Sequence, residues 1–165
     1  MSSTFPQLLL EHAARRPHEP ALRVKEYGIW QTTSWAALAD QVRELAGGFA
    51  AAGMKRNDHL VVVGENRPRL SAAMLAAQTL GAIPIPLYQD AVSAEFVFPI
   101  NNADVRFAVV EDQEQVDKML EIREQCPQLQ HIWFDDPRGL RNYEESGLSS
   151  MDDLQAQGAQ HAAQH

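Results

Sequence analysis

Carboxylates crowd one short stretch of this sequence, at Glu111, Asp112 and Glu114. Such a group can hold a divalent cation, or it can sit at a helix start and answer the positive end of the peptide dipole. The second role needs no metal and is the one expected here. Arg67 and Arg69 stand where a strand gives way to a helix. Cations are disfavoured at a helix start, so ion pairing or solvation is expected for both rather than anion capture. Glu65 and Asn66 lie in the same turn, and Asn66 is expected to cap or turn the chain. His161 and His165 are four apart and could share one helical face, but no third ligand is indicated and no metal site is expected. Cys126 is the sole cysteine, so no internal disulfide can form. It precedes Pro127 near the end of an amphipathic helix, where a small buried apolar residue is expected rather than a nucleophile.

The better-known constellations are missing. The loop after Leu60–Val63 reads Gly64-Glu65-Asn66-Arg67-Pro68, with one glycine. A dinucleotide fold needs several there, so that backbone amides can approach a pyrophosphate. A P-loop needs Gly-Lys-Ser/Thr, and Lys25, Lys55 and Lys118 have no such setting. No Gly-x-Ser-x-Gly elbow occurs. The residues therefore suggest no catalytic, cofactor-binding or metal-binding position.

The elements follow from punctuation and period. Ser3, Thr4 and Pro6 open a helix reaching about Arg16, with Phe5, Leu8, Leu9, His12 and Ala13 on one face. The segments around Leu22–Lys25 and Ile29–Thr33 flank Gly28 and predict a β-hairpin. Ser34 caps a second helix, carrying Trp35, Leu38, Val42, Leu45 and Phe49, and Gly53 ends it. Leu60–Val63 and Phe107–Val110 are continuous apolar runs, typical of strands covered on both faces. Ile83–Leu87 is extended, its prolines marking an edge or irregular strand. Helices are expected over Pro68–Leu80, over Ser93–Ala103 with an interruption at Pro99, and after Asp112, and a further strand at Ile132–Phe134. Ser150 and Asp153 resemble a capping pair for a final helix. Strand and helix thus alternate from Leu60 to Phe134, which implies an α/β fold: a predominantly parallel twisted sheet with helices on both faces, preceded by a helix and a hairpin. Ligands of such sheets bind beyond the carboxyl ends of the strands, here loops 64–69, 88–93, 111–113 and 135–142. The Gln-, Ala- and His-rich residues 155–165 are expected to form a polar tail that frays.

The chain has 165 residues, 45% of them apolar, which suits one domain with a real core. Its formal charge of −8 weighs against a nucleic-acid binder and against docking on an anionic membrane by charge alone. The N-terminus does not read as a signal peptide, and the stretch Ala72–Leu87 is too punctuated to span a bilayer. A cytoplasmic protein is expected.

Taken in order, several segments resemble the adenylate-forming superfamily. Thr32-Thr33-Ser34-Trp35-Ala36-Ala37-Leu38 is similar to that family's threonine–aromatic opening of a helix. Residues 52–63 resemble its glycine-rich entry into the first core strand, with Asn57 where glycine is usual. Gly64–Leu70 resembles the asparagine–proline turn that follows, and Ala77–Tyr88 resembles a second signature. Val109–Lys118 is similar to a stretch of the long-chain acyl-CoA synthetase branch. Gln89-Asp90-Ala91 and Leu70 depart from the common pattern, replacing a threonine-containing turn and an aromatic residue.

The resemblance implies that residues 1–154 are the N-terminal portion of a large AMP-binding domain. It implies a full-length fatty acid–CoA ligase using ATP, Mg2+ and coenzyme A, with a fatty acid as substrate. The family's Ser/Thr/Gly-rich phosphate loop and catalytic lysine have no counterpart in this sequence. The chain alone is therefore expected to be inactive, to bind no cofactor of its own, and to self-associate through surfaces left uncovered. The full-length enzyme is expected in the cytoplasm or at the membrane periphery. The alternative is a self-standing, non-catalytic binding module of flavodoxin-like shape.

Overall fold

The computed structural model describes residues 3–164. Helix α1 spans Phe5–Arg15 and starts with a reciprocal cap: Gln7 N–H donates to the Thr4 hydroxyl, while Thr4 N–H donates to the Gln7 side chain. A two-stranded antiparallel hairpin follows, β1 (Pro20–Glu26) and β2 (Ile29–Ser34). The Ser34 hydroxyl accepts the Ala37 N–H and opens α2, Trp35–Ala51.

The second part is a sheet of five parallel strands in the order β4-β3-β5-β6-β7. These are β3 (His59–Val63), β4 (Ile83–Leu87), β5 (Phe107–Val110), β6 (His131–Phe134) and β7 (Leu148–Ser150). Helices α3 (Pro68–Thr79), α4 (Ser93–Asn102) and α5 (Gln113–Glu121) make the crossovers between β3, β4, β5 and β6. Strand alternation divides the core in two. Leu60, Val62, Phe107, Val109 and Trp133 face α2, α3 and the last helix, α6 (Met151–Gln164). Val61, Val63, Ala108, Val110 and Ile132 face α4 and α5. The predicted parallel sheet with helices on both faces is what forms. Cys126 lies in the second cluster, fully buried after a short 3-10 turn, and burial raises its thiol pKa.

Two differences from the sequence reading are structural. Strand β7 was not anticipated. It has three residues, half-buried and without alternation, and a loop rather than a helix joins it to β6. The tail expected to fray is instead helix as far as Gln164. Ser150 and Asp153 start that helix as the predicted cap: the Asp153 N–H donates to the Ser150 hydroxyl at 3.0 Å, and the Ser150 O–H donates to the Asp153 carboxylate at 2.7 Å. The helix continues because Gly158 lets its backbone lie against α2. A Cβ on Gly47 would come within 2.7 Å of the Gly158 carbonyl, and one on Gly158 would collide with the Glu44 carbonyl. Composition suggested a solvated tail because three glycines on two distant helices carry no hydrophobic signal.

Asn57 takes the left-handed conformation, φ 70°. Apart from glycine, asparagine tolerates that region best, which explains how it stands at a glycine position. Edge strand β4 is blunted. The Ile83 N–H donates to the Asp58 carbonyl on the β3 side. Alternation then turns positions 84 and 86 outward, where both residues are proline and offer no donor.

Candidate functional site

The chain leaves β3 through α3 to β4 on one side, while β5 pairs on the other. That reversal opens a crevice beyond the carboxyl ends of β3 and β5, where ligands of open α/β sheets bind. Here the crevice is filled by the chain's own side chains. Glu111, the first residue after β5, turns back over it. Its carboxylate accepts the Glu65 N–H at 2.5 Å and the Arg67 Nε–H at 2.6 Å. Arg67 also pairs with Glu65 at 3.0 Å. The hydrogen bond to Glu111 is the main reason the Arg67 guanidinium pKa lies above its ordinary value. Gly64 makes room for this contact: a Cβ there would sit 2.6 Å from both Glu111 Cβ and Leu70 Cδ1.

A second network lies beside it. Arg69 Nη1 is 3.2 Å from the Asp135 carboxylate and 2.7 Å from that of Asp152. Its Nη2 donates to Gln155 Oε1 at 3.4 Å, and Gln155 Nε2 donates to Glu44 at 2.6 Å. One guanidinium thus ties α3, the end of β6 and α6 together. Burial raises the Asp135 pKa, with Arg69 opposing the shift. Further out, Arg138 pairs with Asp136. Tyr143 O–H donates to Asp117 at 2.6 Å and accepts from Gln113 Nε2 at 3.0 Å, which anchors loop 135–142 on α5.

Arg67 and Arg69 are ion-paired, as their position at a helix start implied. The acidic stretch divides. Asp112 caps α5 by accepting the Gln115 N–H at 3.3 Å, and Glu114 sits in its first turn. Glu111 does not serve that helix, because Gly64 opens a closer partner across the crevice. Asn66 lies in the turn, while Arg67 occupies the cap position of α3 without a side-chain cap. Lys118 is bound to Glu114 at 2.8 Å and to the Gln89 carbonyl at 2.6 Å. His165 falls outside the described residues, so the His161–His165 pair has no geometry to report. The partners Asp135 and Asp152 were not anticipated. They meet Arg69 from 66 and 83 residues away, separations at which sequence spacing carries no signal.

Chemically, the crevice holds ion pairs in which carboxylates outnumber arginines, Glu65 and Glu111 around Arg67 and Asp135 and Asp152 around Arg69. A phosphate entering it would have to displace Glu111 from the Glu65 amide and from Arg67. The residues present therefore do not fit a nucleotide at this point, and no reaction step follows from them. Among the described residues, no group of three His, Cys, Asp or Glu is placed to hold a metal ion. No described helix is long and apolar enough to cross a membrane.

Comparison with known proteins gives a consistent result. The model of the AMP-binding enzyme family matches residues 9–163. The chain is 38% identical over 72 residues to a 2-succinylbenzoate–CoA ligase of Salmonella typhimurium, covering 44% of this chain and 15% of that protein. It is 26% identical over 129 residues to a long-chain-fatty-acid–CoA ligase of Xenopus laevis, covering 78% of this chain and 18% of that protein. The solved structure of an acetoacetyl-CoA synthetase from Streptomyces lividans superposes with a TM-score of 0.80 at 23% identity, over 92% of this chain and 24% of that one. The chain thus spans less than a quarter of each of these relatives. Matched to one family across residues 9–163, and sharing the fold of a CoA synthetase, this chain belongs to the AMP-binding enzyme family.

Proposed function

We propose that this chain is the opening portion of the large domain of an ATP-dependent long-chain fatty acid–CoA ligase. The ligase forms an acyl-adenylate and then the acyl-CoA thioester, with Mg2+ balancing phosphate charge. The observation carrying this reading is the family match over residues 9–163, on a sheet whose ligand-facing crevice is occupied by Glu111 and Arg67. In this reading residues 1–154 act as scaffold, and the nucleotide-handling groups come from other sequence. The long-chain preference is supported by identity to the Xenopus laevis enzyme over 78% of this chain. We place the ligase in the cytoplasm or at the membrane periphery, and the isolated chain self-associates.

A chimera tests the reading. The aligned opening segment of a long-chain fatty acid–CoA ligase is replaced by this chain, and ATP–pyrophosphate exchange is followed with palmitate and with acetoacetate. Exchange with palmitate above that with acetoacetate is the expected result. A folded chimera without exchange would sink the scaffold reading. Exchange with acetoacetate alone would remove the long-chain assignment. The isolated chain should release no pyrophosphate, and tight calorimetric binding of ATP, AMP, acyl-CoA or flavin by it would favour a self-standing module instead.

A further inference from the structure

The hairpin ends in three apolar side chains that the other described residues leave largely exposed. Tyr27 is 96% exposed, Ile29 65% and Trp30 63%. Tyr27 and Gly28 form the two-residue turn between β1 and β2, with φ of 48° and 82°. That is the geometry of a type I′ turn, for which Asn-Gly is the favoured pair. A bulky residue in the left-handed region carries a conformational cost that asparagine largely avoids. Packing does not offset it, because Tyr27 belongs to neither core cluster. A strained and solvent-facing aromatic points to a role outside the chain.

The neighbours of this tip define its chemistry. Lys25 pairs directly with Trp30, and Arg23 with Thr32. Alternation puts these four residues on one face of the hairpin, and all four are exposed. Leu22 on the other face packs against the core. The basic and aromatic face therefore looks outward. Glu26 lies on the opposite face, across from Ile29.

Size decides what such a tip can meet. A stable protein interface needs about 800 Å² and roughly 20–30 residues per partner. Three side chains fall short of that, and α4 with its exposed Phe98 lies on the far side of the sheet and cannot extend the patch. A bilayer interface asks for less. Tyrosine and tryptophan rings settle at headgroup level, and adjacent lysine and arginine meet anionic lipid. The chain's net charge of −8 does not override this local pattern, because charges beyond a Debye length of about 8 Å are screened.

We propose that the β1–β2 hairpin tip, Tyr27 and Trp30 backed by Lys25 and Arg23, is a docking element for an anionic lipid surface. The proposal deepens the membrane-periphery placement made above; its test needs no turnover, so its failure leaves the ligase reading standing. The whole chain is sedimented with phosphatidylcholine vesicles that contain phosphatidylglycerol, and with vesicles of phosphatidylcholine alone. Binding to the anionic vesicles is expected, weakening with salt. Tyr27→Asn and Trp30→Thr each weaken it by about tenfold, and Lys25→Glu removes the preference for anionic lipid. Tyr27→Asn should meanwhile resist denaturant better than the parent, since asparagine suits the turn; a loss of binding then cannot be blamed on misfolding. Parent-like binding by Tyr27→Asn and Trp30→Thr would overturn the proposal. So would a parent chain that stays in solution with both vesicle types. A dimer abolished by these substitutions, without vesicle binding by the parent, would assign the tip to a protein contact and overturn it as well.

Discussion

Arg69 shows how one side chain holds distant parts of this molecule together. Asp135 is largely removed from water, and its carboxyl pKa lies above the ordinary value of 3.8 because burial disfavours the charged form. Arg69 is the cation opposing that cost. A carboxyl whose folded pKa is raised favours folding fully below its unfolded value, and that contribution is lost as pH rises through the folded value. Asp135 is thus a small liability at neutral pH that Arg69 limits. Arg69→Met should cost about 1–3 kcal/mol near neutrality, less than a fully buried pair because both side chains retain some exposure. The loss should shrink as pH falls toward the Asp135 pKa, where the carboxyl becomes neutral. Urea denaturation of both proteins at neutral and mildly acidic pH reads this directly. A loss that is the same at every pH would mean that packing of the arginine stem, rather than charge, is what matters.

Among the elements, the crossing of α2 and α6 is the most sensitive to change. Gly47 and Gly48 on α2 face Gly158 and Leu154 on α6, with backbone against backbone. A methyl group on Gly158 would meet the Glu44 carbonyl, and on Gly48 the Leu154 carbonyl. Backbone cannot swing aside as a side chain can. Gly158→Ala should therefore cost about 2–3 kcal/mol, more than alanine's better helix propensity returns. Hydrogen exchange should show α6 losing protection first while β3 and β5 keep theirs. Equal or greater protection of α6 in the variant would contradict the close crossing. The same helix carries Asp152 and Gln155, so its release would also free Arg69.

At the scale of the whole molecule, the question is how an uncovered surface behaves. Pro84 and Pro86 blunt the β4 edge, and β7 at the other edge has only three residues. Strand-to-strand association is therefore disfavoured. The exposed large apolar groups on β4, α4 and the loop between them are Ile83, Tyr88, Val92 and Phe98, at 47%, 71%, 61% and 76% exposure. If the isolated chain self-associates as proposed, Phe98→Glu should shift it toward monomer in light scattering. Unchanged association in that variant would place the contact elsewhere.

Local pattern fixed much of this architecture. The continuous apolar runs Leu60–Val63 and Phe107–Val110, the caps at Thr4, Ser34 and Ser150, and the prolines of β4 each act within a few residues, so periodicity and residue type were enough to read them. Strand β7, the continuation of the last helix beyond residue 154 and the role of Glu111 were not legible in the same way. Each depends on a partner that folding brings from far along the chain: β6 for β7, Gly47 and Gly48 for Gly158, and the space beside Gly64 for Glu111. Local sequence sets backbone preference and hydrophobic face. Close approach of glycines and pairing of buried charges are properties of two surfaces together, and only the tertiary structure decides which surfaces meet.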